Sequence, residues 1–264
     1  MALHERYIAS VKPMELPEPW RSAALAVVLP TYNEAANLPL IVGALLDLPL
    51  AGLRILVADD NSPDGTGDIA DSLAARCGEG RVSVVHRPGK EGLGRAYVDG
   101  MTHAVRTGAE FVAQMDSDLS HDPEYLPQML GVLLSTGADV VIGSRYIAHA
   151  SVAREWSWHR KVLSGFANTY VRVLLRLGIR DVTAGFKLWR SSALQAIDVS
   201  SIRSNGYSFQ VEMNYRAAKR DLKIIEIPIH FAERVEGESK MTLRVQLESA
   251  LMPFLLRYRA RWRG

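Results

Sequence analysis

The chain has 264 residues, of which 48% are hydrophobic and 23% charged, with a formal net charge of +2 and a single cysteine, Cys77. This composition is ordinary for a folded globular protein and argues against a disordered chain. One cysteine excludes an intramolecular disulfide, argues against structural zinc and fits a reducing compartment.

The first half of the chain alternates apolar, β-branched segments with amphipathic ones. Residues 1–22 have no apolar signal-peptide core and are interpreted as an N-terminal tail. Strands are predicted over 24–30, 54–59, 82–86, 110–116 and 138–146, and helices over 36–48, 67–77, 95–107 and 123–136. This order predicts an α/β fold with a mostly parallel sheet flanked by helices. Ligands of such sheets bind at the carboxyl ends of the strands.

The second half contains too few strands for a sheet of its own. We expect a long helix over about 157–178, a loop over 181–187, shorter helices, a strand over 223–233, a loop over 234–240 and a final helix. No stretch approaches the roughly 18 uninterrupted apolar residues of a transmembrane helix. We therefore interpret this half as an extension of the first domain.

The segment MDSDLS follows the fourth predicted strand and contains Asp116 and Asp118. Side chains two apart lie on the same side of an extended segment, where two carboxylates repel each other. Asp122, just before Pro123, already suits the role of helix cap, so the pair is surplus to folding. Paired carboxylates of this kind indicate a hard metal ion held by oxygen ligands.

Further acidic residues follow other strands: Glu34 comes after the first, and Asp59 and Asp60 come after the second. The first strand lacks a following GxGxxG, and PGKEGLG is not a Walker loop, so dinucleotide-binding and P-loop functions are excluded. A nucleotidyltransferase would usually carry a glycine-rich, basic loop after the first strand. The segment PTYNEAANL at that place is not such a loop, which argues against this function.

Together, the segments LPTYNE, ADDNSPDGT, RPGKEGLGRAY, MDSDLSHDPE, GSRY, DVTAGFK and RVEGESK resemble the GT-A family-2 glycosyltransferases, and within them the dolichyl-phosphate (polyprenol-phosphate) mannose synthases. The resemblance covers about residues 24–240, in order. It implies a GT-A, Rossmann-like fold and inverting transfer of mannose from GDP-mannose to a polyprenyl phosphate. We expect a catalytic domain over 23–240, with a nucleotide-sugar half over 23–146 and an acceptor half over 147–240.

The resemblance also implies roles for individual residues. The nucleotide-sugar pocket would be formed by Pro30, Tyr32, Glu34, Asp59, Asp60 and Lys90. Asp116 and Asp118 would bind Mg²⁺ or Mn²⁺. Phosphate and acceptor contacts would come from Arg145, Arg160, Lys187, Arg234 and Lys240, with Arg145 also counted as catalytic. Ser120 stands where many relatives have a metal-contacting glutamine, and its shorter hydroxyl leaves two alternatives, contact through water or no contact.

No general base is expected, because a phosphate monoester nucleophile is already largely anionic at neutral pH. His121 is accordingly interpreted as a solvent-facing loop residue. Partner subunits that anchor the chain to a membrane are compatible with this picture, and nucleic acid is not an expected partner because no binding motif accompanies the basic C-terminus.

The lipid acceptor implies contact with a membrane surface. The helix near 160–179 has an apolar stripe that suits core packing, formed by Val162, Leu163, Phe166, Tyr170, Val173, Leu174 and Leu177. Val171, Leu175 and Ile179 lie outside this stripe and widen the apolar surface in a way that suits a membrane interface. Residues 241–264 are predicted to form a basic amphipathic helix with the same role. The expected location is cytoplasmic, peripheral on the cytoplasmic face of a membrane.

Two alternatives of function stay open on the sequence alone. One is a polyprenyl-phosphate glycosyltransferase that uses a UDP-sugar. The other is a non-catalytic subunit that binds lipid or nucleotide-sugar.

Overall fold

The fold is described from a computed structural model, which covers residues 15–78, 80–153, 158–232, 253–254 and 256–258. The side chains of Arg160 and Tyr207 also lie outside the described part. The predicted final helix over 241–264 falls outside it except at 253–254 and 256–258, which are helical.

Strands and helices alternate through the first half, as predicted. The strands are β1 (Leu25–Thr31), β2 (Leu53–Asp59), β3 (Val82–His86), β4 (Phe111–Gln114) and β5 (Val140–Ser144). The helices between them are α1 (Leu38–Leu46), α2 (Thr66–Arg76), α3 (Leu93–Arg106) and α4 (Tyr125–Thr136). Every residue of β1 and β5 is buried, which explains their continuous apolar sequences.

The second half adds further elements to the same body. They are β6 (Ser151–Val152), α5 (Trp158–Leu175), β7 (Lys187–Arg190), α6 (Ser191–Ala196), α7 (Gly206–Lys219), β8 (Ile224–Pro228) and β9 (His230–Phe231). Two short 3₁₀ turns occur at Trp20–Ser22 and Val199–Ser201.

The main sheet has seven strands in the order β3-β2-β1-β4-β7-β5-β8, and β6 pairs with β9 in a separate two-stranded sheet. Strand β7 runs antiparallel to both β4 and β5, whereas the other pairs of the main sheet are parallel. The predicted mostly parallel α/β sheet is confirmed. The strand Lys187–Arg190 was not predicted, because four residues that follow a presumed loop carry no recognisable period.

Helices cover both faces of the sheet. One apolar core lies between the sheet and α1, α2 and α4, and the other lies between the sheet and α3, α5, α6 and α7. Strands β7 and β8 from the predicted acceptor half sit in the same sheet as the strands of the predicted nucleotide-sugar half. The carboxyl ends of β1, β2, β4 and β5 therefore share one edge of a single body.

The face of α5 that points inward is the reverse of the prediction. Val171, Leu175 and Ile179 are buried, whereas Phe166 is 69% and Val173 is 73% exposed. The sequence interpretation, which assigned the first three to the membrane and the last two to the core, is wrong for these five residues, whereas Leu177 of the predicted core stripe is buried, as expected.

The buried Asn168 explains which face of α5 points inward. Its Nδ2 donates to the carbonyl of Arg180, and its Oδ1 accepts from the amide of Val182 at 2.9 Å. Side chains three and seven positions after Asn168 lie on the same face, so Val171 and Leu175 turn inward with it. Among the described residues, none of the helices combines the length and the apolar character that crossing a membrane requires.

Candidate active site

A cavity of about 450 Å³ opens at the carboxyl ends of the strands. Eight of the sequence-predicted site residues line it: Pro30, Tyr32, Glu34, Asp60, Lys90, Asp116, Asp118 and Arg145. Pro30 lies at the carboxyl end of β1 and the other seven follow β1, β2, β3, β4 or β5, so the sheet brings together groups that are far apart in the sequence. Arg234 and Lys240 lie outside the described residues, as does the side chain of Arg160.

Asp59 and Asp60 have different environments although they are adjacent in the chain. Asp59 is buried and accepts hydrogen bonds from Thr31 Oγ1 at 2.9 Å and from the amide and hydroxyl of Ser62 at 3.0 and 2.6 Å. It therefore fixes the loop after β2 and is not among the residues lining the cavity. Asp60 lines the cavity and pairs with Arg87.

Arg87 was quoted in a motif but given no role by the sequence analysis. Its guanidinium is buried and contacts Asp60, Asp99 Oδ2 at 2.8 Å and Glu91 Oε2 at 2.9 Å. Burial raises the pKa of the Asp60 carboxyl above its usual value, against the opposing effect of Arg87. The sequence did contain a signal for this role. Arg87 directly follows a strand, and acidic residues follow other strands of the same sheet, so an ion pair at this edge could have been predicted.

The predicted nucleotide-binding side chains are held by neighbours on adjacent loops. Lys90 Nζ lies 3.7 Å from the ring centroid of Tyr32, a cation–π distance. Glu34 Oε2 accepts a hydrogen bond from Asn37 Nδ2 at 2.8 Å. The loop after β1 and the loop after β3 thus meet at one wall of the cavity.

Asp116 and Asp118 both line the cavity, as does the intervening Ser117, whose hydroxyl donates to the carbonyl of Pro30 at 2.9 Å. Asp116 Oδ1 accepts a hydrogen bond from the Tyr97 hydroxyl at 2.6 Å. Burial, with the adjacent Asp116 carboxylate, raises the pKa of Tyr97 well above its ordinary value, so this hydroxyl remains a donor at neutral pH. The prediction that the two carboxylates share one side is confirmed.

Ser120 supports Asp118. Its amide and hydroxyl donate to Asp118 Oδ1 at 3.1 and 2.6 Å, and its side chain is buried and not among the cavity lining. The observed hydrogen bonds make Ser120 a residue that orients the Asp118 carboxylate, and the two alternatives for its contact with a metal stay predictions.

The site fits a hard divalent cation. Within the described ranges, His, Cys, Asp and Glu side chains form no cluster of three or more that could hold a metal ion, and the two carboxylates of Asp116 and Asp118 are the predicted ligands that line the cavity. Mg²⁺ usually combines one or two carboxylates with water and substrate phosphate oxygens. Asp116 and Asp118 match that donor set.

The prediction that His121 faces solvent is wrong. Its ring is 2% exposed, stacks on Phe186 with centroids 5.2 Å apart and meets Phe231 edge to face at 5.3 Å. Nδ1 accepts a hydrogen bond from the amide of Asp116 at 3.2 Å. Burial lowers the pKa of His121, so the imidazole is neutral at pH 7 and braces the Asp116 loop. The sequence could not place the ring because Phe231 lies far along the chain.

Arg145 lines the cavity in a fixed orientation. Its Nε and Nη2 donate to the two oxygens of Asp181 at 2.8 and 2.9 Å, and Nη2 also donates to Thr183 Oγ1 at 2.8 Å. Asp181 is fully buried; burial favours its neutral form, but Arg145 and the hydrogen bonds lower its pKa below the usual value. Asp181, in the quoted DVTAGFK, is a second residue whose role the sequence analysis missed.

Lys187 lies beneath the cavity and not in its wall. The side chain is fully buried, and Nζ donates to Gln210 Oε1 at 2.6 Å. Burial lowers the pKa of Lys187 to about 7. The structure therefore does not bring Lys187 to an acceptor phosphate, because β7 places it in the middle of the sheet.

Comparison with known proteins identifies a matching family model and two similar proteins. Residues 26–198 match the family model described as glycosyl transferase family 2. The chain is 47% identical over 216 residues to a polyprenol monophosphomannose synthase of Mycolicibacterium smegmatis, covering 82% of this chain and 80% of that protein. It is 42% identical over 237 residues to an undecaprenyl-phosphate mannosyltransferase of Micrococcus luteus, covering 90% and 95%.

Solved structures with the same fold are more distant in sequence. A mannosyltransferase of Pyrobaculum calidifontis, in complex with GDP-Man and Mn²⁺, superposes with a TM-score of 0.61 at 17% identity, covering 93% of this chain and 67% of that one. A glucosyl-3-phosphoglycerate synthase of Mycobacterium tuberculosis, with Mn²⁺ and UDP, gives 0.60 at 18% identity, covering 89% and 80%. At such identities the likeness shows the fold alone.

Proposed function

The chain belongs to glycosyltransferase family 2, and we propose that it transfers mannose from GDP-mannose to a polyprenyl phosphate. The observation that carries this proposal is the joint presence of Asp116, Asp118 and the Arg145–Asp181 pair at one cavity. Such a cavity supplies a cation site for a diphosphate and a guanidinium for a second phosphate. The two mannosyl-transferring relatives, each similar over most of both chains, support the same assignment.

The donor would lie along the wall formed by the loops after β1, β2 and β3. Pro30, Tyr32, Glu34, Asp60 and Lys90 would surround the guanosine, with Asp59 holding the loop behind them. The two carboxylates of Asp116 and Asp118 would hold a divalent cation, Mg²⁺ or Mn²⁺. When bound, this cation neutralises the diphosphate and stabilises the departing GDP.

Arg145 would orient the acceptor phosphate, because Asp181 holds one edge of the guanidinium through Nε and Nη2, and phosphate oxygens accept from guanidinium N–H groups. Attack by that phosphate on the α-linked sugar gives inversion and a β-mannosyl phosphate. His121 is neutral, with Nδ1 engaged by the Asp116 amide, and has no step to perform as a base. Arg160, Arg234 and Lys240 remain predicted phosphate contacts.

Contact with a membrane surface is part of the proposal, because a polyprenyl chain partitions into lipid. On the described side chains of α5, Trp158, Val162, Leu163, Phe166 and Val173 are exposed. Phe254 and Tyr258 of the C-terminal segment are also exposed, and Phe254 lies 6.3 Å from Tyr170 of α5, measured between ring centroids. Exposed apolar groups next to basic ones favour an interfacial position. A cytoplasmic membrane face and a separate anchoring subunit stay predictions.

The direct test is to incubate the purified protein with radiolabelled GDP-mannose, Mn²⁺ and a short polyprenyl phosphate, and to measure label in the organic phase. Transfer should depend on the metal and the lipid phosphate. UDP-glucose replacing GDP-mannose as the better donor would overturn the assignment in favour of the alternative donor class.

The membrane contact has its own test. Binding to anionic liposomes should weaken for Phe166→Ser, whereas Ser135→Ala, an exposed position on α4, should bind as the wild type does. Equal binding of both variants would show that this face of α5 does not meet lipid.

A further inference from the structure

Two buried side chains hold the amide of Gln210 in one orientation. Lys187 Nζ donates to Gln210 Oε1 at 2.6 Å, and Gln114 Nε2 donates to the same oxygen at 2.7 Å. Lys187 and Gln114 are fully buried, whereas Gln210 lines the cavity and is 4% exposed. Lysine Nζ carries N–H donors in either charge state, and in the observed arrangement both neighbours donate to the amide oxygen.

The orientation of the oxygen determines where the amide nitrogen lies. In a planar amide the two substituents diverge, so Nε2 of Gln210 points away from Lys187 and Gln114. Gln210 lines the cavity, and its Nε2 is not among the described buried side-chain atoms that lack a hydrogen-bond partner, so we infer that Nε2 faces that space. Among the described residues, none accepts a hydrogen bond from it. The cavity thus holds a neutral donor whose direction is set by two groups outside it.

This donor lies beside the metal-binding loop. Gln114 precedes Asp116 by two residues. Phe209, the neighbour of Gln210, stacks on Tyr97 with centroids 5.8 Å apart, and Tyr97 donates to Asp116 at 2.6 Å. A sugar attached to a diphosphate at Asp116 and Asp118 would therefore lie within this neighbourhood.

We propose that Gln210 is a positioning residue that recognises the transferred sugar, its amide N–H₂ donating to one hydroxyl of the mannosyl group. This inference rests on the proposed function. A neutral, directional donor matches a neutral hydroxyl, whereas the charged oxygens of the two phosphates are complemented by Arg145 and by the cation site. Fixing the amide beforehand also means that no side-chain entropy is lost when the sugar binds.

Two variants test the role of the amide. Gln210→Glu keeps an oxygen for Lys187 and Gln114 and replaces the donor by an acceptor, while Gln210→Met removes both atoms without adding charge. The dissociation constants of GDP-mannose and GDP are measured by calorimetry with Mn²⁺. We expect the preference for GDP-mannose over GDP to fall about tenfold in Gln210→Met, corresponding to about 1.4 kcal/mol. The terminal phosphate of GDP carries more negative charge than the sugar-linked phosphate of GDP-mannose, so the carboxylate of Gln210→Glu affects the two nucleotides unequally. The ratio is therefore taken from the uncharged variant, and Gln210→Glu is compared with the wild type for GDP-mannose alone.

Analogues of GDP-mannose that each lack one hydroxyl identify the contact. The wild type should lose about tenfold in affinity for one analogue, and Gln210→Met should lose nothing further for that same analogue. Gln195→Glu, an exposed position on α6, is the matched control and should leave every constant unchanged. GDP binding that stays normal shows that each variant is folded.

Three results would overturn the inference: equal weakening of GDP and GDP-mannose, a change confined to the KM of the lipid phosphate, or no coupling with any analogue. If the wild type does not bind GDP-mannose, the proposed function is wrong. If the wild type binds GDP-mannose and the Gln210 variants bind it equally well, only the inference about Gln210 is wrong.

Discussion

Replacing Asp181 with asparagine tests whether the buried pair with Arg145 organises the acceptor side of the cavity. The carboxylate accepts two guanidinium hydrogen bonds, at 2.8 and 2.9 Å, and one from the Arg145 amide at 3.0 Å. In Asp181→Asn the charge is lost and an amide N–H₂ faces a donor. Breaking a buried ion pair from one side costs about 3–5 kcal/mol.

The loss should be visible in both stability and activity. For a chain of this size, about 3 kcal/mol corresponds to a fall in Tm of roughly 6 °C or more. We expect chemical denaturation to give the free energy difference, and kcat/KM for the lipid phosphate to fall at least about tenfold, because Arg145 loses its fixed orientation. Asp47→Asn, exposed at the end of α1, is the control and should change the unfolding free energy by less than about 0.5 kcal/mol.

The pH dependence of this difference has a definite sign. The pKa of Asp181 is lower in the folded protein than its ordinary value. Its contribution to stability is therefore fully present above the unfolded pKa of about 3.9 and is lost as the pH falls toward the folded value. The gap between wild type and Asp181→Asn should be constant from about pH 5 to 8 and shrink below about pH 4. If Asp181→Asn lowers the unfolding free energy by less than about 1 kcal/mol at pH 7, the pair behaves like an exposed ion pair, and the structural role assigned to it is wrong.

Three further changes test other parts of the site. Asp118→Asn should lower kcat by more than about a hundredfold, roughly 3 kcal/mol, while leaving the melting curve without metal unchanged; activity of the wild type that persists in EDTA would contradict the metal site. Lys187→Met removes a lysine whose pKa burial lowers to about 7. Between pH 7 and 10 the unfolded wild type binds more protons than the folded one, so its urea-derived stability should rise relative to the variant by up to about 1.4 kcal/mol per pH unit, and parallel curves would refute the shift. Gly185→Ala would place a Cβ 3.3 Å from an Asp116 oxygen and should weaken Mn²⁺-dependent GDP binding. The control is Gly43→Ala, whose Cβ would meet nothing within 4 Å and which should bind GDP as the wild type does. Equal binding by both variants would show that the loop around Asp116 adjusts freely.

Much of the site could be predicted because strand ends are local features of the sequence. In a parallel sheet, residues that follow successive strands meet at one edge, so Glu34, Asp60, Asp116 and Arg145 could be placed together before any contact was known. Alternation likewise put Asp116 and Asp118 on one side.

Partners that come from distant segments could not be predicted in this way. The sequence pattern gives Asp59 and Asp60 the same position, the end of a strand. In the structure they differ because Asp59 is hydrogen-bonded to Ser62, whereas Asp60 forms an ion pair with Arg87. His121 needed Phe231 to become buried, and Arg145 needed Asp181, thirty-six positions later, to acquire a fixed direction.

The α/β class, the edge of the sheet that carries the chemistry and the carboxylate pair follow from periodicity and from the order of the strands, and these can be recognised without coordinates. The position of β7, the inward face of α5 and the placement of Lys187 below the cavity became known only from the folded molecule. Each of these three depends on which surface a segment packs against, and neighbouring residues in the sequence do not specify that surface. Apolar side chains surround much of α5, so periodicity does not select one face, and the inward face carries the buried Asn168, which is hydrogen-bonded to residues after the helix.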